Sequence, residues 1–222
     1  MTAWYKDYEV DYGGMTNGVR LLLGFTILAN GLQSMYQNGG YDVAGFFGLS
    51  LYGLLQGFVW EPVTYMFLHG TWYHLALNML ILFTMGPETE KAIGRNQFFI
   101  MYFVSGILGG IGWLIISAAE TPTAPCIGAS GAVFGIIGAF AALFPRRPIT
   151  LLLLFVIPVT MKAWVLAVVL GSLELVLLLT HAFGGHIANA AHIAGGLAGF
   201  IYAYVVFGRV PELDNEGGAP SV

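Results

Sequence analysis

The sequence predicts an all-α polytopic membrane protein with six transmembrane helices. Of its 222 residues, 57% are hydrophobic and 9% are charged, and the mean hydropathy is +0.77. Soluble domains carry roughly 25% charged residues, so this composition excludes an ordinary soluble enzyme. Six apolar segments approach the length that a bilayer requires of a helix, about 20 residues, and the cations are confined to alternate connections between them.

Almost all of the chain lies in apolar segments, which indicates one membrane domain over residues 15–208. A polar lead, residues 1–14, precedes this domain, and a polar tail, residues 209–222, follows it. The expected helices 1 to 6 occupy, in order, about residues 16–36, 70–86, 97–118, 129–144, 162–181 and 188–208.

The connections between the expected helices differ in character. Residues 37–68 are rich in glycine and aromatic side chains, so we expect them to lie in the membrane interface. Residues 119–128 contain two prolines and form a turn. Residues 148–159 are apolar but short, and they form either a re-entrant piece or an extension of helix 5.

The positions of the lysines and arginines predict the orientation of the helices. With six spans, all eight fall in the lead and its junction, the 2–3 and 4–5 connections, or the tail: Lys6, Arg20, Lys91, Arg95, Arg146, Arg147, Lys162 and Arg209. Because cations favour the cytoplasmic side, both termini are expected there, in the plasma membrane. Residues 1–12 lack the order of a cleavable signal peptide, so helix 1 would act as its own insertion signal.

Ser130 is the candidate nucleophile, because it stands among small residues at the head of helix 4. Gly128 and Gly131 flank it closely, and small neighbours leave room for a substrate and for a base. Taken alone, a serine in a membrane helix is usually structural and bonds to its own helix. The assignment therefore depends on partners elsewhere in the chain.

Three polar residues on different expected helices reach one depth in the membrane. Ser130 lies sixteen residues before Arg146, and His192 lies seventeen residues before Arg209. His74 lies seventeen residues before Lys91. At about 1.5 Å per residue, all three stand roughly 24–26 Å above the inner edge of the membrane. Polar groups in lipid are costly and face the bundle interior, so a shared polar pocket opening to the outer face is expected.

His192 is the candidate general base, because imidazole takes up a hydroxyl proton near neutral pH. Gly195 and Gly199 share the helical face of His192, three and seven residues further on. They would let helix 6 approach the Gly131 face of helix 4, which a hydrogen bond between Ser130 and His192 requires.

His74 and Asn78 are the candidate oxyanion donors. Their spacing of four residues places both on one face of helix 2. Each side chain can donate a hydrogen bond to a developing oxyanion, beside the backbone N–H of Ser130 at its helix start.

The surroundings of His192 in the sequence predict a catalytic dyad, with no carboxylate beside the base. Asn189, one turn earlier, can orient the ring but cannot act as an acid. Glu174 stands alone inside helix 5, where it either belongs to a proton path or makes an interhelical hydrogen bond. Other enzyme classes fail on spacing, since the chain has neither a Gly-x-Ser-x-Gly elbow nor a His-Glu-x-x-His zinc motif.

Four motifs resemble those of the rhomboid intramembrane serine proteases. They read HGTWYHLALN at residues 69–78, GPETE at 86–90, GASG at 128–131 and AHIAG at 191–195. The resemblance covers roughly residues 15–208, and it implies a rhomboid-like bundle with an interfacial loop between helices 1 and 2. It implies Ser130 as nucleophile, His192 as base, and an oxyanion hole made by His74, Asn78 and the Ser130 N–H.

Two further residues take their expected roles from the resemblance. Phe134 matches an aromatic position that packs on the base in this family, and His69 matches a histidine with a structural role. The implied reaction is hydrolysis of a peptide bond in or near a transmembrane helix of a substrate protein. No metal or other cofactor is expected.

The expected partners are the lipid bilayer and transmembrane substrates that contain helix-weakening residues, because a peptide bond is hidden while its helix is intact. Nucleic acid is not expected, and the oligomeric state stays open. Two alternative functions are a catalytically inactive rhomboid-like protein that binds membrane clients and a small transporter lined by Ser130 and His192. Internal inverted repeats would favour the transporter, and none is visible.

Overall fold

The computed structural model describes residues 14–117, 121–153, 156–180 and 189–208. The described residues form a bundle of helices with one β-hairpin. In chain order the elements are α1 (Asn17–Asn38), α2 (Val43–Phe47), α3 (Leu51–Leu55), α4 (Glu61–Thr64), a 3-10 turn (Tyr65–Phe67), α5 (Trp72–Ile93), α6 (Arg95–Ser117), α7 (Ser130–Leu143), β1 (Pro148–Leu153), β2 (Ile157–Lys162), α8 (Ala163–Thr180) and α9 (Asn189–Val206). The predicted helical bundle is confirmed.

The centre of the bundle is α7, in which every residue except Phe134 is buried. It packs against α5, α6 and α9. Glycines make this packing close: a Cβ atom at Gly199 of α9 would overlap the Gly135 carbonyl of α7. Without a hydrophobic drive between helices in lipid, such small residues allow the backbones to approach and gain dispersion contacts.

Three of the described helices, α6, α8 and α9, are long and apolar enough to cross a membrane by length and composition. Helix α7 is apolar but has 14 residues. Helices α1 and α5 have 22 residues each and contain more polar side chains. The bundle is therefore that of an integral membrane protein, while the count of six spans stays a prediction.

The first and fifth helices are joined at one end by a buried carboxylate. Glu90 accepts hydrogen bonds from the backbone N–H groups of Gly18 and Val19, at 3.0 and 2.8 Å, and from the Thr16 hydroxyl. The carboxylate thus satisfies donors of the α1 N-terminus and complements its dipole. This anchor explains why α5 continues past Pro87 to Ile93, although its predicted end was residue 86.

The stretch 148–159 is not an extension of α8, which was one of the two alternatives considered for it. Residues 148–153 and 157–162 form two antiparallel strands, in which Pro148 pairs with Lys162 and Leu153 pairs with Ile157. The other alternative, a re-entrant piece, stays a prediction. The β-branched side chains of this stretch favour strands, and the cross-strand Thr150–Thr160 hydroxyl pair, 2.8 Å apart, adds a contact.

The long connection between α1 and α5 is folded into short helices rather than an open loop. Asp42 and Ser50 cap α2 and α3 through the N–H groups of Gly45 and Gly53. Leu49 pairs by two backbone hydrogen bonds with Cys126, in the turn that leads to α7. The connection therefore braces the residues immediately before Ser130.

Parts of the predicted organisation lie outside the described residues. They are residues 1–13 of the lead, 118–120 at the junction of expected helix 3 and the turn, 154–155 within the stretch 148–159, 181–188 between the expected helices 5 and 6, and 209–222. The last range includes Arg209, the cation used to measure the depth of His192.

Candidate active site

Ser130 is the first residue of α7, and the backbone before it is held tightly. Gly128 has φ +137°, which a residue with a side chain rarely adopts, and its N–H donates to the Tyr65 carbonyl at 2.9 Å. A Cβ atom at Gly128 would stand 2.8 Å from Nε2 of His74. Glycine is therefore required here both for the backbone conformation and for the approach of the imidazole.

The structure brings Ser130 and His192 together across α7 and α9. Nε2 of His192 lies 2.8 Å from Oγ of Ser130. The ring of Phe134, one turn into α7, stacks on the imidazole with 4.4 Å between centroids and 4° between planes. Gly131 and Gly195 make the approach of the two helices possible, since a Cβ at Gly195 would overlap the Gly131 backbone.

A carboxylate stands beside the imidazole, and the prediction that none does so is wrong. Oε1 of Glu174, from α8, lies 2.9 Å from Nδ1 of His192. The prediction looked for an acid near His192 in the sequence, whereas Glu174 is eighteen residues upstream on another helix. The signal that could have found it was a lone carboxylate inside an apolar helix, which is costly in lipid and needs a partner.

Asn189 contacts this carboxylate rather than the ring that it was expected to orient. Its Nδ2 donates a hydrogen bond of 2.5 Å to Oε2 of Glu174. Both oxygens of Glu174 are therefore engaged by α9, one by Asn189 and one by His192. Of the two alternatives for Glu174, the interhelical hydrogen bond is present, with Asn189 as its donor. The other oxygen of Glu174 lies close to the candidate base.

The ring of His74, near the start of α5, lies against Gly128, and Asn78 follows it by one turn. Nδ2 of Asn78 donates to the His74 carbonyl at 2.9 Å, and Asn78 is buried. Thr71 caps the helix start by accepting the His74 N–H at 3.2 Å. A primary amide carries two hydrogens, so Asn78 has a second donor besides the one used in its own helix.

His69 supports the backbone immediately before Ser130. Its Nε2 accepts the Ala129 N–H at 3.5 Å, and its backbone exchanges two hydrogen bonds of 3.0 Å with the Gln33 amide. Burial and the neighbouring His74 ring lower the pKa of His69 to about 4, so the ring is neutral near pH 7. A neutral ring can accept through Nε2, which fits a structural role.

A cavity of about 600 Å³ between α7, α8 and α9 reaches His192, Glu174 and Phe134. Its lining is apolar except near Glu174, His192 and Ser172. The site combines a hydroxyl, a base, and amide and imidazole donors, and its base lines an apolar groove. Such a set of groups can attack an acyl carbon and stabilise the oxyanion that forms.

Comparisons with known proteins show one matching family model and several similar sequences. A family model described as Rhomboid domain matches residues 56–209, more than half of the chain. Rhomboid protein 1, mitochondrial, of Saccharomyces cerevisiae is 35% identical over 147 residues, which are 63% of this chain and 40% of that protein. Rhomboid protease GluP of Bacillus subtilis is 29% identical over 153 residues, 68% of this chain and 26% of that protein.

RHOMBOID-like protein 5 of Arabidopsis thaliana is 30% identical over 162 residues, 69% of this chain and 46% of that protein. The chain thus spans less than half the length of each of these three relatives. The range matched by the family model contains Ser130, Glu174 and His192.

Proposed function

The chain belongs to the rhomboid family, and on that premise we propose that it is an intramembrane serine endopeptidase. The observation that carries the proposal is the 2.8 Å contact between Oγ of Ser130 and Nε2 of His192. Two helices far apart in sequence supply these atoms, and the close glycine packing of α7 and α9 supports their meeting. A nucleophile within hydrogen-bond reach of its base is what acyl transfer requires.

The proposed reaction proceeds through an acyl-enzyme. Ser130 Oγ attacks the scissile carbonyl while its proton passes to Nε2 of His192, which returns the proton to the leaving amide nitrogen. Water then repeats the sequence and releases the second product. The Ser130 N–H, His74 and Asn78 stabilise the oxyanion of each tetrahedral intermediate.

The proposed substrates are transmembrane proteins whose helices contain glycine, proline or polar residues near the cut. A helix hides each carbonyl in an i→i−4 hydrogen bond, and opening it in lipid is costly, so weakened helices should be cleaved preferentially. The apolar groove between α7, α8 and α9 is consistent with such a chain.

The proposed location is the plasma membrane, with both termini in the cytoplasm and the site open to the outer face. The support is the one-sided distribution of the lysines and arginines. The name of the yeast relative places that protein in mitochondria, so fractionation of the native host decides between the two membranes.

Covalent labelling tests the proposed activity. A fluorophosphonate should modify wild-type protein at Ser130, with the adduct mapped by mass spectrometry, and the same protein should cleave a transmembrane test substrate. Ser130→Ala and His192→Ala should each abolish the labelling and the cleavage, while the protein stays folded. Ser34→Ala, an exposed serine on α1, is the matched control and should leave both unchanged. Folded wild type that is neither labelled nor active would instead be an inactive client binder.

A further inference from the structure

His192 and three other side chains form one chain of polar contacts that crosses three helices. Oγ of Ser130 meets Nε2 of His192 at 2.8 Å, and Nδ1 of His192 meets Oε1 of Glu174 at 2.9 Å. Oε2 of Glu174 accepts from Nδ2 of Asn189. The imidazole therefore lies between a hydroxyl and a carboxylate, which is the arrangement that a three-membered catalytic unit needs.

The position of the carboxylate bears on the tautomer of the ring. Nε2 of His192 can accept the Ser130 proton only if the ring hydrogen sits on Nδ1. Glu174 is the carboxylate beside that nitrogen, with its side chain 12% exposed. Nδ1 is buried and has no aligned hydrogen bond within the described part of the chain, so its 2.9 Å contact with Glu174 is chiefly electrostatic.

The carboxylate is held in place by the helix that carries the base. Asn189 and His192 are three residues apart on α9, and each engages one oxygen of Glu174. Phe134 fixes the plane of the imidazole from α7. A carboxylate engaged at both oxygens has little freedom to rotate, so it can hold the ring toward Ser130.

We propose that Glu174 is a positioning residue that holds His192 in its Nδ1–H form and stabilises the imidazolium formed during catalysis, making a Ser–His–Glu unit across α7, α9 and α8. The inference rests on the proposed protease function. When the bond between Oγ and the substrate carbon forms, the Ser130 proton moves to Nε2, and it leaves with the amide nitrogen when the C–N bond breaks. Glu174 stays ionised throughout and takes no proton.

A purely structural role is the alternative that the test must separate. Within α8 the buried residues that the structure describes are Ala163 and Leu166, both near its start. Glu174 could therefore serve only to attach the remainder of α8 to α9. A structural role predicts that loss of Glu174 acts through stability, whereas a positioning role predicts a loss of turnover at unchanged stability or beyond what stability explains.

The test compares Glu174→Gln with Leu166→Ala in full-length protein in detergent micelles. Glu174→Gln keeps the shape but removes the charge, and it should lower kcat and the fluorophosphonate labelling rate of Ser130 by about 10- to 100-fold, with KM within about threefold. Glu174→Asp keeps the charge and should recover part of the loss. Leu166→Ala, which loosens α8 without touching the ring, should lower the thermal midpoint but leave the labelling rate unchanged.

Two results would overturn the inference. One is a Glu174→Gln variant whose labelling rate and kcat equal those of the wild type. The other is an equal loss in Glu174→Gln and Leu166→Ala when their thermal midpoints fall equally.

A measurement of the His192 tautomer tests this inference separately from the proposed function. In ¹⁵N-histidine-labelled protein, the His192 signals, assigned with His192→Ala, should report the Nδ1–H tautomer in the wild type and lose that preference in Glu174→Gln. Folded wild-type protein that does not react with the fluorophosphonate would refute the proposed protease activity. The ring signals would then still decide whether Glu174 positions His192. Identical His192 signals in both proteins would refute the positioning role.

Discussion

Gly195 of α9 faces the carbonyl of Gly131 on α7 so closely that a Cβ atom at Gly195 would overlap it. This contact lies three residues from His192 and one residue from Ser130. The separation of the two helices at this level is therefore set by the absence of a side chain, and it controls the distance between the candidate nucleophile and its base.

Gly195→Ala should therefore lower the reactivity of Ser130, although it adds only one methyl group. The added methyl group must push α9 away from α7, and overpacking of this kind costs about 1–3 kcal/mol. A displacement of about 1 Å can cost roughly 100-fold in rate, so labelling of Ser130 should fall at least tenfold. The control is Gly196→Ala, whose Cβ would make an ordinary contact of 3.6 Å with the Phe134 carbonyl. Equal labelling of the two variants would show that the glycine contact does not position the site.

The convergence of Ser130 and His192 could be anticipated because a cation follows each of the two expected helices in the sequence, Arg146 after the first and Arg209 after the second. The depth of a residue relative to a cation on the same helix follows from the number of residues between them, because the rise per residue of an α-helix is constant. The same reasoning put His74 at this level, and the structure sets its ring against Gly128, next to the serine. Depth, however, says nothing about which way a residue faces.

The contact between Glu174 and His192 was missed for that reason. Helix α8 is apolar on nearly all sides, so its pattern does not reveal which face meets α9. The two strands at residues 148–153 and 157–162 were missed because a short apolar run has no decisive period, so that a strand and a helix fit it equally. The continuation of α5 beyond Pro87 depends on Glu90 reaching α1, a tertiary contact that local propensity does not contain.

The stacked ring of Phe134 should contribute measurably to turnover. Its face lies on the His192 imidazole, with planes 4° apart, and stacked aromatic pairs contribute about 0.5–1.5 kcal/mol. Phe134→Leu should therefore lower kcat about 2- to 12-fold, the factor that this energy corresponds to at 25 °C. Phe134→Tyr keeps the ring and serves as the control. A Leu variant as active as the Tyr variant would mean that stacking does not orient the base.

Asn78→Ala should weaken turnover without weakening substrate binding. One oxyanion donor is worth about 10- to 1000-fold in kcat, because it acts chiefly in the transition state. Thr84→Ala on the same helix removes an exposed hydroxyl that bonds only to its own turn, at 2.8 Å from the Leu80 carbonyl, and is the matched control. If Asn78→Ala lowers the thermal midpoint but leaves kcat unchanged, its amide serves the helix, through the His74 carbonyl, rather than the oxyanion.

His69 should make the stability of the protein depend on pH between about 6.5 and 4. Its pKa is lowered from 6.5 to about 4 by burial and by the adjacent His74 ring, and the residue lies before α5, outside the spanning helices. Between these values the unfolded chain binds a proton at this residue that the folded chain does not. Stability is therefore fully present above pH 6.5 and falls as the pH is lowered toward 4, by up to about 1.4 kcal/mol per pH unit.

The measurement is equilibrium unfolding in detergent micelles at several pH values, with His69→Gln as the comparison. Glutamine does not titrate, yet its amide oxygen can still accept a hydrogen bond in place of the imidazole Nε2. The variant should therefore lose most of the slope between pH 6.5 and 4, while its stability above pH 7 changes much less. A variant with the wild-type slope would assign the acid sensitivity to other groups, and His69 would then not be held neutral by its burial.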